Sequence, residues 1–164
     1  MKEPEFPTIT KCYNCDYIFW LNSDQMCGLG QLDPNQVKRA GFLDAFGLNE
    51  AIKLGLALNS KEEIYLRQRI IWSINDRVRA GQTKFSDTKS KSIWEENQLA
   101  LIGMLDEKNM DEMILLIEVY RNMGKFYDSY SLVMLIHDFK LLKIKEAFTK
   151  QIDDRNKEVF EIIT

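Results

Sequence analysis

The sequence predicts a mainly α protein, five to seven helices paired as antiparallel hairpins, preceded by a small β-hairpin knuckle of the zinc-ribbon type. Three observations predict it. All three prolines, Pro4, Pro7 and Pro34, lie in the first 34 residues, leaving the next 130 without one. A proline inside a helix costs about 3 kcal/mol, so such a stretch permits continuous helices. Helix start and stop signals then recur along that stretch. The head instead holds a closely spaced cysteine pair flanked by β-prone residues. The expected organisation is a knuckle over residues 1–33, packed on the rest, and one α-helical unit over residues 34–164.

In the head, Thr8-Ile9-Thr10 precedes the cysteine pair and Tyr17-Ile18-Phe19-Trp20-Leu21 follows it. Both flanks favour strand and place a short hairpin around Cys12 and Cys15. Asp33-Pro34 reads as an N-cap followed by proline at the first helical position. Residues 43–58 hold a short helix weakened by Gly47 and Gly55.

Ser60-Lys61-Glu62-Glu63 has the pattern of a capping box, in which serine and glutamate satisfy orphan amides reciprocally. The helix it opens carries Ile64, Ile70, Ile71, Ile74 and Val78 near a 3.6-residue period. Arg77 and Arg79 in its last turn suit the helix dipole, and Gly81 stops it. Gln82–Ser90 is a polar connection. Ser92-Ile93-Trp94-Glu95 is a second capping-box pattern, opening a helix with the stripe Trp94, Leu101, Ile102 and Leu105. Asn109 caps a third, with Met113, Ile114, Ile117 and Tyr120 inward, and Gly124 ends it. Phe126 opens another at once. Phe148, Ile152, Val159 and Ile162 predict a long C-terminal helix, continuous or with one break.

The run from Met113 to Ile136 contains Tyr120, Gly124, Phe126, Ser129 and Val133 at the spacing of a tetratricopeptide hairpin, which it resembles. In that family an aromatic residue sits four before the turn glycine and another two after it, with a small residue three further on where the helices cross. Ser129 stands at that small position here, bulky Ile117 replaces the small residue of the first helix, and the closing proline is absent. The layout also resembles an uncharacterised bacterial family with a Cys-x-x-Cys, Phe-Trp, and a helix bearing Trp-x-x-Asn-Asp and an arginine. The matching positions are Cys12, Cys15, Phe19, Trp20, Trp72, Asn75, Asp76 and Arg79. That likeness implies architecture and no chemistry.

Composition narrows the function. The chain has 164 residues, 45% hydrophobic and 29% charged, ordinary values for a globular protein. Its net charge of −3 and pI near 5.3 argue against a whole-chain nucleic-acid binder. The N-terminus carries no apolar signal segment and no run is long enough to span a membrane, so the expected location is the cytoplasm with reduced thiols. A single histidine, His137, removes most metalloenzyme and acid–base constellations. There is no P-loop, no Gly-x-Ser-x-Gly and no His-Glu-x-x-His, and Gly28-Leu29-Gly30 lacks the rest of a dinucleotide fingerprint.

Cys12 and Cys15 have metal-knuckle spacing, with Cys27 a third candidate ligand. A structural zinc needs four ligands, so the expectation is either no cofactor or one structural zinc. His137 reads as a partly buried structural histidine at a helix end. Residues 67–91 hold seven basic and two acidic residues, whereas residues 95–118 hold seven acidic and one basic. These segments either screen one another or present a basic patch to an acidic partner. Arg77, Arg79, Tyr127 and Tyr130 are the candidate partner-binding residues, at least one tyrosine being exposed. The expected function is a non-catalytic protein–protein interaction module, an adaptor or inhibitor. The alternative is a zinc-knuckle nucleic-acid accessory protein using the basic 67–91 segment, and an enzyme comes third.

Overall fold

The computed structural model describes residues 8–12, 14–21 and 41–160. The expected boundary at 33/34, the Asp33-Pro34 helix start, Cys27 and Ile162 lie outside the described residues. The described part is mainly helical. It has strands β1 (Ile9–Lys11) and β2 (Ile18–Trp20), then helices α1 (Ala45–Lys53), α2 (Ser60–Arg79), α3 (Thr88–Met104), α4 (Met110–Asn122) and α5 (Phe126–Met134). A short 3-10 helix (Phe139–Leu141) leads into α6 (Leu142–Asp153). The chain divides into two compact units, residues 1–73 and 74–164, the division falling within α2.

In the first unit β1 and β2 pair antiparallel, with Thr10 opposite Phe19. Ile9 and Ile18 are buried. The hairpin is fastened by side chains that the β pattern alone does not reveal. Trp20 Nε1 donates to the Leu56 carbonyl at 2.8 Å, Thr10 Oγ1 donates to the Gly41 carbonyl at 2.9 Å, and Thr8 hydrogen-bonds Tyr65. Trp20 also lies beside the Tyr65 ring. Asp44 caps α1 by accepting from the Gly47 amide, and Gly55 follows the helix at φ +67°, a left-handed conformation open to glycine.

Helix α2 starts as predicted at Ser60, but the cap is Asn59. Its side-chain oxygen accepts from the Glu62 amide at 3.0 Å, and the Glu62 carboxylate takes the Asn59 side-chain amide and the Leu58 backbone N–H. The reciprocal pattern is there, shifted by one residue, because an amide side chain precedes the serine. Leu66, Ile70, Ile71 and Ile74 are the buried residues of the stripe, while Ile64 and Val78 are only partly covered.

In the second unit α3 starts four residues before the predicted serine. Asp87 accepts from the Ser90 amide at 2.7 Å, and Ser90 Oγ donates back to the Asp87 carbonyl. The Ser90 N–H holds the Asp87 carboxyl below its usual range. Ser92 is therefore inside the helix. Asn109 caps α4 as predicted, accepting from the amides of Asp111 and Glu112. Gly124, at φ +77°, turns the chain into α5. Ser129 is fully buried against α4, its hydroxyl donating to the Ile117 carbonyl at 2.9 Å. Helix α3 packs on α4, α4 on α5 and α5 on α6.

The C-terminal expectation needs correction. After α5 the chain breaks at residues 135–138, and α6 ends at Asp153, so Val159 is not helical. Arg155 at φ +50° turns the chain, and the Asn156 amide donates back to the Gln151 carbonyl. His137 is also not a half-buried helix residue; it is exposed in the break between α5 and the 3-10 helix.

Candidate functional site

Each predicted site residue stands in a definite environment, and the structure does not gather them into one centre. Cys12 and Cys15 sit on the turn between β1 and β2, Cys12 partly covered and Cys15 exposed. The backbone N–H of Asn14, then that of Cys15, point at the Cys12 sulfur and hold its thiol below the usual range, with the Cys15 side chain adding to the effect. Asp16 occupies the left-handed position at φ 60°, where a knuckle normally places glycine, and its carboxylate pairs with Lys11 at 3.3 Å. The turn thus presents a sulfur stabilised as thiolate, the form that binds metal. Two cysteine sulfurs are half a tetrahedral zinc shell, and among the described residues no group of three or more His, Cys, Asp or Glu is gathered around a common point.

The basic segment is largely engaged locally. Arg67 pairs with Glu63 at 2.6 Å, Arg79 with Asp76 at 2.7 Å, Lys84 with Glu158 at 3.2 Å and Lys91 with Glu95 at 3.7 Å. Arg77 and Arg79 differ: Arg79 is exposed, whereas Arg77 is partly buried and its Nε has no hydrogen-bond partner among the described residues. Most of these pairs are surface interactions worth about 0–1 kcal/mol each. Their effect is to neutralise the segment rather than to stabilise the fold.

Tyr127 and Tyr130 are both exposed, Tyr127 at 83%. They stand three apart on α5 and Met134 follows four later, so the three share a face. Leu135 in the break, Phe139 (75% exposed) in the 3-10 helix and Leu142 at the start of α6 are exposed as well. Half of the twelve large apolar side chains exposed among the described residues fall in this one stretch, 127–142. Sequence reasoning found the tyrosines and missed Leu135 and Phe139, which stand four apart as on one face of a helix, where the helix in fact ends at Met134.

Sequence reasoning also missed a buried polar cluster at the end of α4. Arg121 is fully buried. Its Nη1 donates to the carbonyls of Asn156 at 2.6 Å and Glu158 at 2.8 Å, and its Nη2 to Asn122 Oδ1 at 3.0 Å. The guanidinium lies 4.8 Å from the Phe160 ring centroid. Burial pulls its pKa below the usual guanidinium value, while Glu118 and Glu158 oppose that pull. In the same environment burial raises the Glu118 carboxyl above its ordinary range, partly offset by Arg121 and Arg79. The cluster straps residues 156–160 to α4. The available signal was a cation on a buried stripe: Arg121 follows Ile114 and Ile117 at helical spacing.

Beside it, Gln98 is fully buried, and neither Oε1 nor Nε2 has a hydrogen-bond partner among the described residues. An unsatisfied buried polar group costs about 1–3 kcal/mol, so an amide with both atoms unmet marks an unusual place. Gln98 too was legible as a polar residue between Trp94 and Leu101 on the apolar stripe of α3. No helix among the described residues is long and apolar enough to cross a membrane. No family model, curated protein or solved structure matches this chain.

Proposed function

We propose that this protein is a non-catalytic interaction module that docks a protein partner on the apolar face formed by Tyr127, Tyr130, Met134, Leu135, Phe139 and Leu142. The observation that carries the reading is the concentration of large exposed apolar side chains in that stretch. Solvated apolar surface is unfavourable, and contiguous patches mark surfaces that become covered. Tyrosine and phenylalanine bury large areas at low entropic cost, which suits them to anchor a partner. On this reading α4 and α5 form a tetratricopeptide-like hairpin. The Gly124 turn and the close approach of Ser129 to Ile117 support that likeness.

The test compares the wild-type chain with the double variant Tyr127→Ser/Phe139→Ser in affinity capture from the native cell, with circular dichroism on both. Both side chains are exposed, so the variant should keep its helicity and melting temperature. Specific partners should be lost. An unchanged partner set with an intact fold would remove the face from the function, and concentration-dependent dimerisation abolished by the variant would identify the partner as a second copy.

A second reading is favoured by the Cys12–Cys15 turn. The two amides directed at the Cys12 sulfur and the left-handed Asp16 are the features of a metal knuckle. It makes the head half of a structural zinc site, completed by Cys27 and a fourth ligand, in a nucleic-acid accessory protein that uses the 67–91 segment. The local pairing of Arg67, Arg79, Lys84 and Lys91 makes this the weaker reading.

A further inference from the structure

Beyond α6, residues 155–160 run back onto α4 without regular secondary structure. After the Asn156 amide, which closes the turn on Gln151, the segment makes no main-chain to main-chain hydrogen bond among the described residues. Side chains hold it instead, in the way a bound peptide is held. Arg121 Nη1 donates to the carbonyls of Asn156 and Glu158 at 2.6 and 2.8 Å. Carbonyls two residues apart lie on one side of an extended chain, so this clamp reads main chain whatever the side chains. Two side chains are gripped individually. Glu158 takes Lys84 Nζ at 3.2 Å. The Phe160 ring centroid lies 4.8 Å from the Arg121 guanidinium, and the ring stands edge-on to Phe148 with centroids 5.4 Å apart. Lys157 lies against the Gly124 turn, at the C-terminal end of α4, where a cation suits the helix dipole.

We propose that the surface of α4 covered by residues 156–160 is a peptide-binding site whose resident ligand is the chain's own C-terminal segment, displaced by a partner's extended peptide that carries an acidic residue two before an aromatic one. Arg121 supplies the main-chain contact, Lys84 selects the acidic residue, and Phe148 with the Arg121 guanidinium selects the aromatic one. Arg121 Nη1 faces the segment and is covered by it, so the clamp becomes available as the segment leaves. Two observations favour exchange. The segment is entered through Arg155 at φ +50°, a left-handed conformation that strains a non-glycine residue and relaxes on release. The segment also fills its surroundings incompletely: a cavity of about 530 Å³, lined by Lys84, Trp94, Met123, Lys157 and Glu158 among others, stays open beside it. A tethered ligand competes at high effective concentration, so a free peptide binds the intact chain weakly and a chain with a loosened segment well. The site uses none of the residues of the apolar face proposed above.

The experiment is fluorescence anisotropy of a labelled synthetic peptide of residues 155–160, titrated with the full wild-type chain and with the full-chain variant Phe160→Ser, circular dichroism being recorded on both. The peptide should bind the variant about tenfold or more tighter than wild type, because the substitution loosens the competing segment. A peptide whose own phenylalanine is replaced by serine should bind the variant about tenfold or more weaker, the loss expected for an aromatic anchor. If Phe160→Ser loses its fold, the isotope-labelled wild-type chain with excess peptide serves instead, and the amide resonances of residues 157–160 should move to random-coil positions by NMR as the segment is displaced. No binding by the loosened chain, equal binding of the native and phenylalanine-free peptides, or unmoved resonances at the solubility limit of the peptide would overturn the proposal and make the segment a fixed part of the fold.

Discussion

At the scale of single residues, Glu118 and Arg121 show how burial decides what a charge does. Arg121 is tolerated because its guanidinium meets two backbone carbonyls and an amide oxygen. Glu118, one helical turn before it, has its carboxyl raised by burial despite the nearby cations. The sign of its contribution follows. Well below 4.5, the ordinary value, the group is protonated in both folded and unfolded chains and its ionisation costs nothing. As pH rises through 4.5 the unfolded chain ionises first, and the folded state is penalised from there upward. Glu118→Gln should therefore raise the melting temperature at pH 7, and the difference from wild type should close as pH falls below 4.5. A variant less stable than wild type at pH 7 would show that the carboxylate's attraction to Arg121 outweighs its burial.

At the scale of elements, the helix boundaries are set by side chains meeting the first free amides. Asn109 does this for α4 with two acceptances. Asn109→Ala should lower stability by about 1 kcal/mol, and Asn109→Asp should retain most of it, read as a shift in urea midpoint at unchanged slope. An alanine variant with the wild-type midpoint would mean that water or Glu112 replaces the cap. The capping boxes of α2 and α3 illustrate a limit of pattern reading. Ser-x-x-Glu occurs at both sites, yet Asn59 and Asp87 are the caps, because a short polar acceptor further upstream meets earlier amides, those of Glu62 and Ser90, and the helix begins there. Ser129 of α5 donates to the Ile117 carbonyl of α4. What makes it work with a bulky Ile117 is that the serine hydroxyl reaches the backbone carbonyl and not the side chain.

At the scale of the whole molecule, the head and the helices pose separate questions. If the Cys12–Cys15 turn is half of a zinc site, the full chain purified without chelator should carry near one equivalent of zinc, and Cys12→Ser should lower its melting temperature. A metal-free chain with an unchanged melt would end the zinc reading and leave the hairpin held by Trp20, Thr10 and Thr8, as the hydrogen bonds show.

The sequence by itself determined the class of the fold. Proline confined to the head, the asparagine cap at 109 and the glycines at 55, 81 and 124 are local signals, acting within a turn of the chain, and local signals survive without knowledge of neighbours. The hairpin around the cysteine pair was legible for the same reason. Only the tertiary structure decided which polar residues are buried and which apolar ones are not. Arg121 and Gln98 occupy stripe positions, where periodicity expects apolar side chains. Phe139 and Leu135 look like core until a break in the helix turns them outward. Burial is a property of what lies opposite a residue, contributed by segments distant in sequence such as 156–160 against α4, and no spacing along one helix encodes that.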